Sequence, residues 1–289
     1  MSEQENPQRD QPNTYFVQNN SNSEELRRLH IQDQMLTNSM GGVLPEQSDP
    51  GTLRRVLDIA CGTGGWLIAV TKAYPTIELL MGGDANRMFI EYARAQAETE
   101  QLSERVEFHT MDALLLLEAP ANYFDLVNLR LSSSFMRTWD WPKLLGEIKR
   151  VLRRGGIARI TDIDIGVQGT SPALTELYER FKGALYRAGH LFTETPDGLT
   201  AHLGRLLTQY GYRQVQTRDI VLEYRAGTPQ GEAAYEDSKR FFQNLHPFIR
   251  KWGCAGPDYD DLYQQMLSEM RQPDFCGTWH ALTAWGACS

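Results

Sequence analysis

A carboxylate followed by a glycine-rich turn is the feature of this sequence that best fits a chemical role. The stretch 56–66 reads VLDIACGTGGW, in which an apolar run surrounds Asp58 and an amphipathic segment begins after Gly65. This order predicts a strand, a tight loop and the start of a helix. Glycines let the backbone of such a loop come close to a ligand, and the first amides of the helix can meet its polar groups. The stretch therefore predicts a site for a nucleoside-containing cofactor.

Two kinds of cofactor compete for this loop, and an ordinary turn between a strand and a helix is a third interpretation. A dinucleotide fingerprint, G-x-G-x-x-G, places a pyrophosphate at the helix N-terminus. Here Ala60 stands at the first glycine position, and Asp58 would put a negative charge beside the pyrophosphate. The same acid favours the cationic amino-acid end of a different cofactor.

The pattern apolar-apolar-Asp-x-Ala-x-Gly-Thr-Gly, which starts at Val56, resembles the first motif of class I S-adenosylmethionine (SAM)-dependent methyltransferases. Asp84 ends a second apolar segment, and the resemblance implies that its two oxygens accept the ribose hydroxyls. Asp84 also fits the N-cap of the helix that follows, and the two roles are compatible.

Later segments extend the resemblance over residues 53–165. Asp112 follows a third predicted strand, where a carboxylate of the family accepts the adenine amino group; a solvated turn residue is the alternative. Residues 124–130 match the family's fourth strand, (Y/F)-D-x-(V/I). A helix over 144–152 ends in RRGG, a helix stop, where the family usually has Lys-Pro-Gly-Gly. The fifth strand is predicted over 157–163.

The resemblance implies an α/β fold: a Rossmann-like, seven-stranded, mostly parallel sheet with helices on both faces and added helical lid segments. The segments 203–207 and 275–279 look like the bacterial small-molecule branch of the family, including natural-product enzymes. SAM is the implied cofactor. Arg130 is expected to hold a carboxylate of the cofactor or substrate, with a surface ion pair as the alternative. The implied cofactor-binding residues are Asp58, Ala60, Gly62, Gly64, Asp84, Ala85, Asp112, Ala113 and Arg130.

Composition narrows the class of partner. The net charge is −8 and no cluster of Lys and Arg is present, which argues against a nucleic-acid partner. No apolar run is long enough to span a membrane, and the polar first 22 residues do not resemble a signal peptide. The four cysteines have no zinc-site spacing, so no metal is expected. We expect a cytoplasmic protein with a small-molecule substrate, either a monomer or a homodimer.

Four regions are predicted along the chain. Residues 1–22 form a flexible N-terminus and residues 23–50 an N-terminal lid helix. Residues 51–165 form the SAM-binding Rossmann-like core. Residues 166–289 complete the sheet and add helical insertions over the substrate, and the last strand, 275–288, is expected to be antiparallel at the sheet edge.

Methyl transfer from a sulfonium needs mainly the alignment of two partners, so a general base is optional. His190 and His246 are weak candidates for such a base, and each also fits a structural role near a helix end. Six aromatic residues lie on segments expected to face the substrate or to belong to the core: Tyr15, Phe16, Phe135, Trp139, Tyr186 and Phe242. The predicted function is methyl transfer to the O, N or C atom of a small, hydrophobic or aromatic acceptor. The alternative is a SAM-binding, non-methylating enzyme, such as a cyclase or pericyclase, on the same fold.

Overall fold

The computed structural model describes residues 23–289, and these contain one central eight-stranded sheet. The strands are β1 Arg55–Ile59, β2 Leu79–Asp84, β3 Val106–Thr110, β4 Phe124–Arg130, β5 Leu152–Ile163, β6 Gln168–Gly169, β7 Tyr212–Arg225 and β8 Cys276–Cys288. The helices are α1 Ser23–Met40, α2 Gly65–Ala73, α3 Arg87–Thr99, α4 Trp141–Val151, α5 Pro172–Arg187, α6 Thr200–Gln209, α7 Pro229–Lys251 and α8 Tyr259–Glu269.

Local signals in the sequence explain where several helices begin. The Asn86 side chain accepts a hydrogen bond from the Met88 amide at the start of α3, as N-cap residues do. Ser171 caps α5 in the same way and is followed by a proline at the first helical position. Thr228 caps α7, again before a proline. These caps satisfy amides that have no partner inside the helix.

The sheet has the order β3-β2-β1-β4-β5-β8, and both β7 and β6 pair with β8. The first five strands are parallel, which confirms the mostly parallel sheet, and β6 is a short eighth strand that was not predicted. The predicted position of the last strand at the sheet edge is wrong, because β8 lies between β5 and β7 and is antiparallel to both. No residue of β8 is exposed, as expected for an interior strand with both faces covered.

β5 begins five residues before the predicted start of the fifth strand. Leu152 pairs with Phe124, and a bulge between Phe124 and Leu126 shifts the register before regular pairing resumes at Ile157. Gly155 has a φ of +75°, which a glycine adopts without strain. The basic and glycine residues after α4 therefore form an irregular strand segment as well as a helix stop.

The central strands are buried on both faces, as the parallel part of such a sheet requires. In β4 every residue from Phe124 to Leu129 is buried. One apolar layer joins α2 and α3 to the sheet, and a second, larger layer joins α4, α5, α6 and α7 to it. Polar side chains inside these strands must therefore find hydrogen-bond partners within the protein. Helix α1 contacts α2, α7 and β7.

Among the helices of residues 23–289, none combines the length and the apolar character needed to cross a bilayer.

Candidate functional site

A cavity of about 660 Å³ lies at the carboxyl ends of the parallel strands. Between β1 and β4 the chain changes the direction in which it adds strands, and open α/β sheets bind ligands at such a switch point. The cavity has two parts. The strand-end half is lined by the loops after β1, β2, β3 and β4, including Asp58, Gly62, Asp84 and Arg130. The aromatic half is lined by side chains of α5, α7, β7 and β8. Its ring-bearing lining residues are Tyr178, Phe181, Tyr224, Phe241 and Trp279.

Eight of the nine residues predicted to bind the cofactor line this one cavity, while Gly64 lies behind it. The eight are Asp58, Ala60, Gly62, Asp84, Ala85, Asp112, Ala113 and Arg130. Their role in holding a ligand remains a prediction, but the structure brings them together.

The two central glycines of the loop are needed for different reasons. A Cβ at Gly62 would meet no atom within 4 Å, so the space beside it is open to a ligand. A Cβ at Gly64 would lie 2.6 Å from the ring of Phe108 and 2.8 Å from Cβ of Ala93. Gly64 also has a φ of +76° and is the N-cap of α2. Gly62 thus leaves room for a ligand, whereas Gly64 lets the helix pack.

Asp84 fixes the glycine loop against the second strand. Its Oδ2 accepts a hydrogen bond from the Gly62 amide at 2.9 Å, and its Oδ1 accepts one from the Asn86 amide at 2.8 Å. Burial raises the pKa of Asp84, although both hydrogen bonds oppose the shift. A carboxylate oxygen has two acceptor sites, so both oxygens retain capacity for a ligand's hydroxyl groups.

Asp58 is at one end of a buried polar network that was not predicted from the sequence. Its Oδ1 accepts a hydrogen bond from the Asn128 amide nitrogen at 2.7 Å. The Asn128 oxygen accepts one from Arg159 at 2.6 Å, and Arg159 pairs with Glu46 at 2.7 Å. Asn128 and Arg159 are each flanked by apolar residues within β4 and β5, which is the signal that could have revealed them.

The environment of Asp58 favours a positive ligand. Burial raises the pKa of Asp58 to about 7, even though the charge of Arg130 and the hydrogen bond from Asn128 oppose the shift. Within residues 23–289, no hydrogen bond reaches the second oxygen of Asp58. A cationic group at this oxygen would offset part of the cost of burying the carboxylate.

Arg130 joins the strand ends to α1. It forms an ion pair with Asp33, donates to the Thr37 hydroxyl at 3.3 Å and lies 5.6 Å from the ring centre of Trp66. Both members of the ion pair are largely buried, so it is not a surface pair. A Cβ at Gly65 would collide with the Asp33 carboxylate, so this glycine lets α1 approach the start of α2. The Nε atom of Arg130 is buried and has no partner among the described residues.

Asp112 is an exposed turn residue, the alternative that the sequence left open, and its contact with adenine stays a prediction. Its Oδ1 accepts a hydrogen bond from the Leu114 amide at 2.8 Å, as a turn residue does. The side chain forms part of the cavity wall beside the buried Ala113.

The aromatic half has an ion cluster at its wall. Arg28 donates to both oxygens of Glu25 at 3.0 and 2.8 Å, and to Oδ1 of Asp237 at 3.0 Å. The ring centre of Trp279 lies 6.3 Å from that of Tyr178 and 5.5 Å from that of Tyr224. Sequence reasoning missed these residues, because they are far apart along the chain.

Of the six aromatic residues predicted to contact the substrate, Phe135 lines the cavity. Phe242 is fully buried behind it, with its ring centre 5.2 Å from that of Tyr178. Trp139 and Tyr186 are exposed on the surface and do not line the cavity. For Tyr186 the reason is that Tyr178 and Phe181 occupy the inward side of α5. The remaining two, Tyr15 and Phe16, are outside the described residues.

Neither histidine proposed as a base lines the cavity. His190 is buried, and burial lowers its pKa to about 4, so its ring is neutral at physiological pH. Its Nδ1 has no partner in the described part of the chain. His246 stacks on Tyr259, with ring centres 4.1 Å apart. The carboxyl group of Asp162 is also occupied, since it accepts hydrogen bonds from the Ser132 hydroxyl and from both the hydroxyl and the amide of Ser133.

No cluster of three or more potential metal ligands occurs among residues 23–289. All four cysteines are free, and burial raises the pKa of Cys61 in the glycine loop.

Comparison with known proteins gives consistent results. A family model described as a methyltransferase domain matches residues 56–156. A demethylmenaquinone methyltransferase from Deinococcus radiodurans is 31% identical over 172 residues, which cover 55% of this chain and 68% of that protein.

Two solved structures share the fold at low sequence identity. The [4+2]-cyclase SpnF is 18% identical with a TM-score of 0.50, over 92% of this chain and 97% of the cyclase. A geranyl diphosphate C-methyltransferase from Streptomyces coelicolor, solved with S-adenosyl-L-homocysteine (SAH), is 11% identical with a TM-score of 0.52. That match covers 94% of this chain and 86% of the other. At these sequence identities, the two matches show that the chain shares the Rossmann-like fold and nothing further.

Proposed function

Because the chain belongs to the class I SAM-dependent methyltransferases, we propose that it methylates a small organic acceptor bound in the aromatic half of the cavity. SAM is the cofactor of this family, and the proposal assigns it to the strand-end half. The observation that carries this assignment is the buried carboxylate of Asp58, whose pKa is raised to about 7 and whose second oxygen accepts no hydrogen bond from the described chain.

The groups of the strand-end half fit the chemical parts of SAM. Asp58 suits the ammonium group, and the unpartnered Nε of Arg130 suits the carboxylate. Asp84 has acceptor capacity for the ribose hydroxyls, and Asp112 for the adenine amino group. The open space beside Gly62 lets the backbone come close to the ligand.

Bound SAM supplies an activated methyl group on a positively charged sulfur, so the chain's own residues mainly position and enclose the reactants. Correct positioning alone is worth up to roughly 7–11 kcal/mol of the reaction barrier. The apolar and aromatic side chains of α5, α7 and β8 hold a small acceptor and exclude water. Helix α1, which the Asp33–Arg130 ion pair ties to the strand ends, acts as the lid.

The acceptor in this proposal is hydrophobic or aromatic, since most of the aromatic half consists of rings and aliphatic groups. No base is assigned, because both predicted histidines lie away from the cavity and the Asp162 carboxyl is engaged by serine donors.

A non-methylating reaction is the second candidate, and the shared fold of a [4+2]-cyclase is its support. Fold likeness does not separate the two reactions, but their products do, because methyl transfer converts one SAM to one SAH for every acceptor modified.

The test is to incubate the protein with SAM and a panel of small aromatic and alicyclic amines, phenols and alkenes. SAH and modified acceptor are then quantified together by chromatography with mass detection. We expect equimolar SAH and methylated product, and loss of both in Asp84→Ala. A modified acceptor of unchanged mass, formed without SAH, would contradict methyl transfer and support the cyclase-like reaction.

A further inference from the structure

Asp237 is a carboxylate of α7 at the wall of the aromatic half. It lines the cavity and is mostly buried, and its Oδ1 accepts one hydrogen bond, from Arg28. Arg28 also donates hydrogen bonds to both oxygens of the fully buried Glu25. No described residue donates to Oδ2 of Asp237. Burial raises the pKa of Asp237, and Arg28 offsets that only in part, so a further positive charge would stabilise the carboxylate.

Three aromatic rings line the same cavity as this carboxylate. Tyr178, Tyr224 and Trp279 all line the cavity, and the ring of Trp279 contacts the rings of both tyrosines. Burial, followed by the charge of Asp237, raises the pKa of Tyr224, and the same charge acts on Tyr178. Aromatic faces attract cations, and this attraction is strongest where water is excluded.

The part of the cavity wall formed by residues 23–289 has a negative formal charge. Among these residues, five carboxylates and three guanidinium groups line it: Asp33, Asp58, Asp84, Asp112 and Asp237, with Arg28, Arg87 and Arg130. SAM carries one net positive charge, from a sulfonium, an ammonium and a carboxylate. One negative charge is therefore left when the strand-end half is filled. An anionic acceptor would add to it, whereas a cationic acceptor would neutralise it.

We propose that the acceptor carries a protonated amine, which Asp237 binds through its free Oδ2 while the rings of Tyr178, Tyr224 and Trp279 surround it. This inference rests on the proposed function and narrows its acceptor class to small, amine-bearing molecules with an apolar or aromatic body. Asp237 lies on α7 and Trp279 on β8, so the specificity comes from the elements that complete the fold after the parallel strands.

The test uses three probes of nearly equal shape and different charge: naphthylmethylamine, naphthylmethanol and naphthoate. Each is titrated by calorimetry into the SAH-saturated protein at neutral pH. We expect the amine to bind at least about tenfold more tightly than the alcohol, and the carboxylate to bind most weakly. Equal or tighter binding of the alcohol or the carboxylate, or no binding of the amine, would overturn the inference.

A matched pair of variants tests whether Asp237 causes the preference for the amine over the alcohol. Asp237→Asn keeps the shape and an acceptor for Arg28 but removes the charge, so we expect the amine and the alcohol to bind equally. Asp261→Asn, which changes an exposed carboxylate on α8, is expected to retain the preference for the amine. Persistence of that preference in Asp237→Asn would assign it to another group and contradict the inference.

The two proposals fail in distinguishable ways. Absence of SAH binding in the wild-type protein would contradict the proposed function itself. Normal SAH binding without a preference for the amine would contradict only the assignment of the acceptor class.

Discussion

The two halves of the cavity are assembled in opposite ways. The strand-end half joins the ends of adjacent parallel strands, so its hydrogen bonds connect residues of neighbouring strand–loop–helix units, as between Gly62 and Asp84. The aromatic half joins the N-terminal helix to α5, α7, β7 and β8. Its Arg28–Asp237 ion pair spans 209 residues, and the contact between the Ser39 and Tyr224 hydroxyls spans 185. The strands and loops of the first half are therefore set by local sequence, although the Arg130–Asp33 ion pair also ties this half to α1, whereas the second half is set by how distant elements pack.

This difference suggests a division of labour. A shared cofactor needs the same contacts in every member of a family, and a repeated strand-end geometry supplies them. An acceptor differs between enzymes, and side chains on added helices can change without disturbing the strand ends. Variants in the two halves should therefore have separable effects on stability, SAH affinity and acceptor binding.

The largest expected effect comes from the network beneath the strand-end half. Glu46→Gln leaves the fully buried Arg159 without its carboxylate, and we expect a loss of about 3–5 kcal/mol in unfolding free energy by denaturant titration. The exposed control Glu78→Gln should cost less than about 0.5 kcal/mol. Similar small losses in both variants would show that the strand-end half does not depend on this network.

The pH dependence of this contribution follows from the pKa of Glu46. Burial alone would raise that pKa, but the charge and hydrogen bonds of Arg159 lower it below its usual value of 4.5. The stabilisation is therefore present above pH 4.5 and is lost as the pH falls through the folded-state pKa. In Glu46→Gln this acid-dependent part of the stability should be absent.

A comparison of two glycines separates packing from ligand binding. Gly64→Ala combines a left-handed backbone with a clash against Phe108, and should lower the unfolding free energy by roughly 2–4 kcal/mol. Gly62→Ala has a similar backbone but open space, and should cost only about 1–2 kcal/mol. Because its methyl group enters the cavity, Gly62→Ala should nevertheless reduce SAH affinity in calorimetry. Equal stability losses, with SAH affinity retained in Gly62→Ala, would contradict this assignment.

The substitution Asp58→Asn should have a smaller effect. We expect it to increase the unfolding free energy of the ligand-free protein and to weaken SAM binding. The folded pKa of Asp58, about 7, lies above its usual value of 3.8, so the buried carboxylate destabilises the ligand-free protein increasingly as the pH rises between these values. At pH 8 we expect Asp58→Asn to stabilise the ligand-free protein by roughly 1–3 kcal/mol and to weaken SAM binding. Thermal unfolding at acidic and alkaline pH measures the first effect, and the gain should shrink toward pH 4. A loss of stability at pH 8 would contradict the proposed role of this carboxylate.

The same contrast explains what could be predicted from the sequence. The five parallel strands and the lining of the strand-end half were predicted, because each strand, turn and helix start has its own local pattern. Gly64 was predicted as a ligand contact, whereas it lies behind the cavity and packs against Phe108. Periodicity does not distinguish these two uses of a glycine.

The rest depends on pairings between distant segments. Periodicity gives the extent of β8 but not its neighbours, so its position between β5 and β7 was missed. The pairing of Arg159 with Glu46 could not be predicted, because β5 and the segment after α1 are far apart in sequence and meet only in the fold. On α5, the apolar pattern does not tell whether Tyr178 or Tyr186 faces the cavity, because the orientation of the helix is set by its packing.

The separation of the two halves can be measured directly by calorimetric titration of SAH into Asp84→Ala and Asp237→Asn alongside the wild-type protein. The account predicts one SAH site, an affinity about 5- to 150-fold weaker in Asp84→Ala, and a change of less than about twofold in Asp237→Asn. Unchanged SAH affinity in a folded Asp84→Ala, or an equal loss in Asp237→Asn, would contradict it.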